Sequence, residues 1–310
     1  MQAVEFDQFG DPSVLKLRAV TDPVAGATEV LVQVRAAALN PKDVLLRKGK
    51  FGWLSGKRFP MGVGFDFAGV VLAGAMAPGT RVWGMLGGFR GRCVAEQLVA
   101  RPSELAVMPD RLDFNHAAAL PLVGLTALQA LRDRAEIREG QRLLINGASG
   151  GLGLVAIQIG KLLGAHVTTL SSAANRPLCK RMGADVVLDY RVDEPLSRPS
   201  AFDVIFDVFG NRSLAAARTC LKRGGVYVTT VPSRQILSDQ ISSAWSRRCR
   251  AKLIIVKPKP ADLEQLAWWV NGGKLKPVLD RILTMADVAD GQRFLETKRA
   301  RGKVVVQIGS

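Results

Sequence analysis

The stretch Asn146-Gly147-Ala148-Ser149-Gly150-Gly151-Leu152-Gly153 follows an apolar run, Leu143-Leu144-Ile145, and opens a helical pattern that extends to Leu163. A glycine-rich loop between a buried strand and a helix is typical of dinucleotide-binding domains. Glycines at 147, 150 and 153 permit a tight turn, close approach of the backbone to a pyrophosphate, and close packing of helix on strand. The helix N-terminus also offers N–H groups and a positive dipole end to phosphates. The stretch from 147 to 153 is therefore predicted to bind a dinucleotide, although a glycine-rich turn of another α/β domain is the alternative.

Strand and helix alternate around this loop from about residue 123 to 262, which predicts a parallel sheet. Strands are predicted at Leu143–Ile145, His166–Leu170, Val186–Leu188, Asp203–Asp207 and Val226–Thr230, and helices at Leu152–Leu163 and Arg176–Met182. Residues 1–122 instead contain short apolar runs broken by Gly and Pro, a pattern typical of a β-rich barrel or sandwich. Residues 263–310 add a helix, Leu263–Val270, and a strand, Val304–Val306. The sequence thus predicts an α/β protein with two domains.

The end of the second predicted strand of this parallel sheet indicates which dinucleotide binds. An NAD site places a carboxylate there, which accepts hydrogen bonds from the adenosine ribose hydroxyls. This chain instead reads Leu170-Ser171-Ser172-Ala173-Ala174-Asn175-Arg176, without Asp or Glu. Hydroxyls and a guanidinium suit the additional 2′-phosphate of NADPH, so NADPH is the predicted cofactor. In the alternative reading, Ser172 or Asn175 only caps a helix and Arg176 is only a surface charge.

The chain is strongly basic, with 43 Lys and Arg against 27 Asp and Glu and a net charge of +16. The excess is concentrated between residues 211 and 260, where eleven basic residues accompany a single acid, Asp239, for a local charge of +10. Such a field attracts nucleic acid, acidic membranes or a phosphorylated cofactor. We interpret it mainly as a solvated basic face. Nucleic acid is not an expected partner, because no aromatic interleaving supports a single-strand binding groove.

The residue inventory argues against metal and nucleophilic chemistry. The two histidines, His116 and His166, are distant in sequence from the four cysteines, and no Cys/His/Asp cluster has ligand spacing. Ser149 misses the G-x-S-x-G pattern of serine hydrolases by one position. The cysteines form no C-x-x-C pair, so a reducing cytoplasm is the expected location. No membrane span is expected, because Gly, Gln or Lys interrupts every apolar stretch.

Further motifs follow one another in a fixed order along nearly the whole chain. They are Ala38-Leu39-Asn40-Pro41-Lys42-Asp43, Gly64-Phe65-Asp66-Phe67-Ala68-Gly69, Leu120-Pro121-Leu122-Val123-Gly124-Leu125-Thr126-Ala127, the glycine-rich loop, Gly183-Ala184-Asp185 with Asp189-Tyr190, and Ala300-Arg301-Gly302-Lys303. In these motifs the sequence resembles the medium-chain dehydrogenase/reductase superfamily, and most of all its zinc-independent quinone oxidoreductase branch, which includes zeta-crystallin and the reticulon-interacting mitochondrial reductases. The resemblance implies a GroES-like β-rich catalytic domain, residues 1–122 and 263–310, and a Rossmann NADP-binding domain, residues 123–262.

The resemblance also implies roles for individual residues. Asn40 and Thr126 match positions that line the nicotinamide, and Asn40 is suited to donate a hydrogen bond to substrate or carboxamide. The positions that hold the adenosine 2′-phosphate in NADPH-preferring relatives match Ser171, Ser172, Asn175, Arg176, Tyr190 and Lys303. Zinc-dependent relatives have Cys in place of Asn40 and Gly-His-Glu in place of Gly64-Phe65-Asp66, so no metal is expected. Strand ends also place Phe209, Gly210 and Val231 where ligands lie in doubly wound sheets.

The sequence departs from the family pattern at the expected proton donor. Some quinone reductases have a Tyr shortly after the Asn-x-x-Asp pair, where this chain has Val44-Leu45-Leu46. Asp43, Lys42, Arg47 and water remain as proton sources. Asp43 is included with Asn40 among the candidate catalytic residues, although the favoured interpretation of Asp43 is a structural pairing with a neighbouring strand or loop. Loops at Trp53-Leu54-Ser55 and Gly87-Gly88-Phe89-Arg90 are expected to shape the acceptor pocket.

These observations predict hydride transfer from NADPH to a quinone or an α,β-unsaturated carbonyl compound, with fixed donors stabilising the developing oxygen charge. An enoyl-thioester reductase acting on CoA or acyl-carrier substrates is the enzymatic alternative. A low-turnover NADPH-bound binding protein that uses its basic face is the non-enzymatic alternative. Ala251–Val256 has the pattern of an exposed apolar edge strand. Relatives commonly dimerise there, so a homodimer is expected.

Overall fold

The computed structural model describes residues 1–50, 58–89 and 91–309, which divide into two compact units. The first unit comprises Met1–Leu125 and the described residues from Lys257 onward, and the second comprises Thr126–Val256. The boundaries expected after residues 122 and 262 lie instead after 125 and 256. A helix, Pro121–Leu128, runs across the first of these boundaries, which explains why the change in sequence pattern does not mark it sharply.

Strands and helices alternate along the described residues as follows. The strands are β1 (Gln2–Phe6), β2 (Lys16–Ala19), β3 (Val30–Leu39), β4 (Met61–Gly62), β5 (Asp66–Gly74), β6 (Arg81–Met85), β7 (Gln97–Ala100), β8 (Leu105–Val107), β9 (Arg142–Asn146), β10 (His166–Ser171), β11 (Val186–Asp189), β12 (Phe202–Asp207), β13 (Leu221–Thr229), β14 (Cys249–Leu253), β15 (Leu279–Leu283) and β16 (Lys303–Gln307). The α-helices are α1 (Pro41–Arg47), α2 (Phe114–Ala118), α3 (Pro121–Leu128), α4 (Gly151–Leu162), α5 (Arg176–Arg181), α6 (Leu214–Ala217), α7 (Arg234–Ser243), α8 (Pro260–Asn271) and α9 (Val288–Glu296). Short 3-10 helices lie at Pro12–Val14, Pro102–Glu104, Ala173–Asn175, Pro195–Ser197 and Met285–Asp287, and a π-helix at Gln129–Arg134 follows α3. None of the described helices is long and apolar enough to cross a membrane.

The first unit is built mainly of antiparallel strands. One sheet has the order β15-β16-β3-β5-β6-β8 with β7 paired to β3, and a smaller sheet has the order β2-β1-β4. In β3, the buried Val30, Val32 and Val34 alternate with half-buried residues, so one face of the strand enters the core. The end of β3, residues 36–39, is fully buried, and α2 packs against β3 and β5. This strand therefore delivers Asn40 directly from the core into α1, which begins at Pro41.

The second unit contains, among its described residues, a six-stranded parallel sheet in the order β11-β10-β9-β12-β13-β14. This order is that of a doubly wound Rossmann sheet, in which the winding direction reverses beside the first strand, here β9. β9 reads as a continuous apolar run because it lies inside a parallel sheet. The carboxyl ends of β9 and β12 therefore lie side by side at the place where such sheets bind ligands. The predicted α/β class is confirmed.

Two predicted strands have different limits in the structure. β13 begins at Leu221 rather than at Val226, because Leu221 already pairs with Phe202 before a shift of register. β14 ends at Leu253 rather than at Val256, because its neighbour β13 ends at Thr229, the residue that pairs with Leu253. As predicted, β14 lies at the edge of the sheet.

Candidate functional site

The glycine-rich loop joins β9 to α4 at the carboxyl edge of the parallel sheet. Gly147 has a φ of +84°, a left-handed conformation that favours glycine. A Cβ atom on Gly153 would lie 2.3 Å from the Gly147 carbonyl oxygen, so only glycine lets α4 pack this closely. A Cβ atom on Gly150, the N-cap of α4, would meet no described atom within 4 Å. The loop is thus closed at Gly153, where it packs tightly on the protein's own backbone, and open at Gly150, where free space lies beside the helix N-terminus.

A buried carboxylate, Asp207, organises the loops that follow β9 and β12. Its Oδ1 accepts hydrogen bonds from Asn146 Nδ2 (2.7 Å) and from the Gly210 N–H (2.8 Å). Its Oδ2 accepts hydrogen bonds from Tyr227 Oη (2.8 Å) and from the Arg212 N–H (3.0 Å). Burial and the neighbouring carboxylate raise the pKa of Tyr227, which keeps this phenol a neutral donor. This network was not predicted, although an aspartate at the end of an apolar strand was its signal in the sequence.

Phe209, Gly210 and Val231, which were predicted to line the ligand, lie at this same edge of the sheet. A Cβ atom on Gly147 would be 3.2 Å from Phe209 Cβ, and one on Gly210 would be 2.3 Å from Val231 Cγ2. Phe209 and Val231 remain 45% and 39% exposed. The structure therefore brings the loops after β9, β12 and β13 into contact while leaving two of their apolar side chains accessible.

Two of the residues predicted to hold the 2′-phosphate are exposed, and a third has a buried oxygen without a partner. Arg176 is exposed at the start of α5, and Tyr190 is 51% exposed after β11. The guanidinium of Arg191, which was not predicted, lies 5.9 Å from the centre of the Tyr190 ring. Asn175 Oδ1 is buried and has no hydrogen-bond partner among the described residues, so it can accept a hydrogen bond from a ligand hydroxyl.

The two serines of this predicted set differ in exposure. Ser172 is half-exposed at the start of a 3-10 turn, whereas Ser171 is buried and its hydroxyl contacts Cys179 Sγ at 3.8 Å. Ser171 therefore supports the loop from inside, and we correct its predicted role as a phosphate contact. A carboxylate that was not predicted lies nearby, since Asp189 at the end of β11 accepts hydrogen bonds from the N–H groups of Ala173 (3.2 Å) and Arg191 (3.0 Å).

In the first unit, Asn40 is buried at the junction of β3 and α1. Its Nδ2 donates to Asp66 Oδ2 (2.8 Å) and to the Ala38 carbonyl (3.3 Å), and its Oδ1 accepts a hydrogen bond from the ammonium of Lys303. Asp66 Oδ1 accepts a hydrogen bond from the Leu122 N–H (2.5 Å). Both N–H donors of Asn40 thus already have acceptors inside the protein. We therefore correct the predicted donor role of Asn40, whose amide instead links Asp66 to Lys303.

Lys303 belongs to this same buried cluster. Its Nζ lies 3.2 Å from Asp66 Oδ2 and 3.4 Å from the Leu39 carbonyl, and it donates to Asn40 Oδ1. The Lys303 side chain is 5% exposed and that of Asp66 is fully buried. An ammonium has three donors, and all three have acceptors here. The prediction that Lys303 binds the 2′-phosphate is therefore corrected, because its charge neutralises a buried carboxylate.

Asp43, in the first turn of α1, is fully buried. Its Oδ2 accepts a hydrogen bond from the Asn40 N–H (2.8 Å) and its Oδ1 from the Gly64 N–H (2.6 Å). Burial raises the pKa of this carboxyl to about 6, against the opposing effect of the two backbone hydrogen bonds. The structure favours the structural alternative over the catalytic role, because Oδ2 caps the start of α1 and Oδ1 joins α1 to the loop before β5. Arg47 is buried as well, and its Nε donates to Gln292 Oε1 (2.6 Å).

Lys42 has the most suitable surroundings among the side chains considered as proton donors. Its half-buried ammonium donates to the Gly88 carbonyl (2.6 Å) and lies 3.8 Å from the centre of the Phe65 ring. Burial lowers the pKa of Lys42, so it gives up a proton more readily than an exposed lysine does. Of the loops expected to shape the acceptor pocket, Trp53-Leu54-Ser55 and Arg90 lie outside the described residues.

Across residues 1–50, 58–89 and 91–309, no group of three or more His, Cys, Asp or Glu side chains is arranged to hold a metal ion. Asn40 Oδ1 and Asp66 Oδ2 already accept hydrogen bonds from the Lys303 ammonium, and Asp66 Oδ1 accepts one from the Leu122 N–H, so this donor set does not fit a zinc ion. The four cysteines are free and buried. Thr126, predicted to line the nicotinamide, is a buried residue of α3.

Comparison with known proteins identifies the family. The alcohol dehydrogenase GroES-like domain matches residues 26–110, and the zinc-binding dehydrogenase domain matches residues 182–306. The chain is 30% identical to the mouse mitochondrial NAD(P)H oxidoreductase RTN4IP1, in an alignment that covers 99% of this chain and 89% of the relative. The protein belongs to the medium-chain dehydrogenase/reductase superfamily. The predicted family is confirmed, and the β-rich first unit is the GroES-like domain of this superfamily.

Other relatives narrow the position of this chain within the superfamily. It is 32% identical to tomato 2-methylene-furan-3-one reductase, over 99% of this chain and 79% of the relative. A solved structure of the quinone oxidoreductase from Coxiella burnetii superposes with a TM-score of 0.91 at 31% identity, covering 100% of this chain and 99% of the other. The chain is therefore an NAD(P)H oxidoreductase of the quinone oxidoreductase branch.

The second unit fits the nicotinamide dinucleotide that such an oxidoreductase requires. The open position at Gly150 leaves space for a pyrophosphate at the N-terminus of α4. The buried, unpartnered Asn175 Oδ1 lies beside exposed Arg176, a pairing of acceptor and cation that suits a phosphorylated ribose. The residues from Gly147 to Gly153, with Asn175 and Arg176, are thus the ones that would hold the cofactor.

Proposed function

We propose that this protein is a zinc-independent, NADPH-dependent reductase that transfers a hydride to a quinone or an α,β-unsaturated carbonyl compound. The observation that carries the proposal is the glycine loop, which is closed at Gly153 and open at Gly150 where the N-terminus of α4 can receive a pyrophosphate. Similarity to NAD(P)H and quinone oxidoreductases supports the reaction class. The cofactor, when bound, supplies the hydride, and the protein contributes binding, orientation and electrostatics.

We assign the preference for NADPH to the exposed residues after β10 and β11. The Arg176 guanidinium can pair with a phosphate through two parallel hydrogen bonds, and Arg191 beside Tyr190 adds a second positive charge. Ser172 contributes a hydroxyl at the same loop, and Asn175 Oδ1 accepts from a ribose hydroxyl. Asp189 is nearby, but both of its oxygens accept backbone hydrogen bonds that shape the loops.

We assign stabilisation of the reacting oxygen to Lys42 in the first unit. Hydride addition to a conjugated carbon places negative charge on the carbonyl or quinone oxygen, and a fixed cation lowers the free energy of that charge. Lys42 is such a cation, and its lowered pKa also suits it to pass a proton to the oxygen. The buried cluster of Asn40, Asp66 and Lys303 fixes the start of α1 and so positions Lys42.

The role of Lys42 has a direct test. The variant K42M is expected to lower kcat about 100-fold, the usual contribution of a general acid, while the Kd for NADPH stays unchanged. K50M, which removes an exposed lysine a few residues further along, is the matched control and should keep full turnover. An unchanged kcat in K42M would mean that Lys42 is not the proton donor and that water supplies the proton.

The proposed reaction is tested by fluorescence titration with NADPH and NADH, followed by turnover with a quinone, an enone and an enoyl-CoA thioester. We expect NADPH to bind at least about tenfold more tightly than NADH, and a quinone or enone to be the best acceptor. Preference for the thioester would favour the alternative, an enoyl-thioester reductase. This alternative is supported by 32% identity to a trans-enoyl reductase of Aspergillus terreus, in an alignment that covers 91% of this chain and 87% of the relative. Failure of both dinucleotides to bind would contradict the reductase proposal and favour a binding protein.

We further propose that the protein is a homodimer and that it is cytoplasmic. The edge strand β14 is followed by Ile255, 67% exposed, and Ile241 on α7 is 77% exposed. Exposed apolar residues beside an open sheet edge are usually covered by a partner. A monomeric mass in light scattering would contradict the dimer. The four free cysteines support a reducing compartment.

A further inference from the structure

The second unit has a basic cavity at the edge of its sheet that lies opposite the glycine loop. The cavity has a volume of about 440 Å³ and is lined by Ser200, Arg218, Thr219, Leu221, Arg223, Arg247 and Arg248. These residues precede or begin β12, β13 and β14. Because the strands are parallel, their starts meet at the amino edge of the sheet, whereas the glycine loop follows the carboxyl end of β9. The basic cavity and the predicted dinucleotide site are therefore separate places.

Four arginines line this basic cavity without a neutralising carboxylate. All four arginines are exposed, no acidic residue lines the cavity, and none of the four forms an ion pair with a described residue. The nearby Asp203 is already engaged, since its Oδ2 lies 2.8 Å from Lys222 Nζ and accepts the Arg142 N–H. Like charges held together repel one another, so the cavity has a strong electrostatic preference for a multivalent anion.

Backbone hydrogen bonds hold the walls of the basic cavity in place. The Ser200 N–H donates to the Thr219 carbonyl (3.0 Å), which joins the segment before β12 to the segment before β13. The Gly224 N–H donates to the Arg248 carbonyl (2.7 Å), which joins β13 to the segment before β14. The arginine backbones are thus fixed relative to one another, so less conformational freedom is lost when a ligand binds.

The chemistry of the lining favours phosphate groups. Guanidinium groups form paired hydrogen bonds with phosphate oxygens, and the hydroxyls of Ser200 and Thr219 can donate to the same anion. No aromatic side chain lines the cavity to stack on a nucleobase, so single-stranded nucleic acid is not the favoured occupant. We propose that this basic cavity binds the oligophosphate group, two or three linked phosphates, of a small anionic ligand, at a site separate from the dinucleotide.

The test is calorimetric titration of the full-length protein with inorganic tripolyphosphate at about 0.15 M salt. We expect one site per chain, and the double variant R218Q/R247Q should weaken binding by at least about tenfold. The control R134Q/R138Q removes the same charge from two exposed arginines of the second unit outside the cavity, and it should change the affinity by less than about twofold. Thermal melts should be unchanged in both variants, because all four positions are exposed.

Four results would overturn the proposal. The first is the absence of saturable binding. The second is an equal loss in both double variants, since affinity would then follow total charge rather than the cavity. The third is wild-type affinity in R218Q/R247Q, which would place the anion elsewhere, including at the glycine loop. If a single-stranded RNA oligonucleotide binds more tightly than tripolyphosphate and both double variants weaken it equally, the basic face is a nucleic-acid surface and the proposal fails.

Discussion

The buried cluster of Asn40, Asp66 and Lys303 in the first unit and the glycine loop of the second unit differ in how completely the protein itself fills the space around them. In the first unit, the charges of Asp66 and Lys303 are buried and paired with each other and with Asn40, so the cluster is complete without a ligand. In the second unit, the space beside Gly150 is open, and Asn175 Oδ1 is buried without a described partner. The polar cluster of the first unit fixes the protein's own backbone, whereas we propose that the open space beside Gly150 in the second unit receives the cofactor.

The largest expected loss of stability comes from removing one charge of the buried cluster of Asn40, Asp66 and Lys303. In K303M, the Asp66 carboxylate remains buried without its cation, which should lower the free energy of unfolding by roughly 3–5 kcal/mol. Chemical denaturation measures this loss. The double variant D66N/K303M removes both charges and should recover much of the stability, because an uncompensated buried charge is the main cost.

The same K303M variant separates the structural role of this lysine from the role first predicted for it. If the cluster is as described, the ratio of NADPH to NADH affinity stays unchanged in K303M at temperatures where the variant is folded. If the ratio of NADPH to NADH affinity instead falls to about one, and the free energy of unfolding drops by less than about 1 kcal/mol, then Lys303 binds the 2′-phosphate as first predicted. The contrast between the two units would then be wrong.

The buried carboxyl of Asp43, next to the cluster of Asn40, Asp66 and Lys303, makes the stability of the first unit depend on pH. Because burial raises the pKa of Asp43 from 3.8 to about 6, the folded state binds this proton more tightly than the unfolded chain does. Its contribution to stability is therefore fully present below about pH 4 and is lost as the pH rises through about 6. The loss is on the order of 3 kcal/mol over that interval.

Urea unfolding of the wild type and of D43N between pH 4 and 7 measures this contribution. The difference in unfolding free energy, wild type minus variant, should shrink as the pH rises, because asparagine does not titrate. D110N, which alters an exposed aspartate of the same unit, is the matched control. Parallel curves for the wild type and D43N would mean that the Asp43 carboxyl does not titrate in this interval.

The fold was predictable because its signals are local in the sequence. The run from Leu143 to Gly153 carries strand, turn and helix in consecutive residues, and the strict requirement for glycine at 153 reflects contact with a neighbour only six residues away. The position of β14 at the sheet edge followed from its apolar pattern and its late place in the chain. Only the predicted last residue of β14 was wrong, because β14 ends where its partner strand β13 ends.

The misassigned site residues depend instead on contacts between distant parts of the chain. Lys303 and Asn40 are 263 residues apart, and they meet because β16 pairs with β3, with Val304 opposite Leu39. A lysine next to a glycine carries no sign of such burial. The basic cavity is a similar case, because the +10 charge was visible between residues 211 and 260, but only the parallel sheet brings Arg218, Arg223 and Arg248 together.

A pair of glycine variants sharpens the comparison within the second unit. G153A places a Cβ atom 2.3 Å from the Gly147 carbonyl oxygen, and such overpacking should lower the free energy of unfolding by about 1–3 kcal/mol and weaken dinucleotide binding. G150A adds the same methyl group where no described atom lies within 4 Å, so the fold should keep its stability while NADPH affinity falls. Equal NADPH affinity in G150A and the wild type would show that the open position is not where the pyrophosphate lies.

The smallest expected effect concerns the exposed rim of the second unit. R176Q removes the cation beside Asn175 and should weaken NADPH binding by about tenfold while leaving NADH affinity unchanged, because only NADPH carries the 2′-phosphate. R181Q, at the other end of α5, removes the same charge and should leave both affinities within about twofold. If both variants weaken NADPH equally, the preference comes from the overall positive field of the chain. The loop that contains Asn175 and Arg176 would then provide space for the cofactor without discriminating between NADPH and NADH.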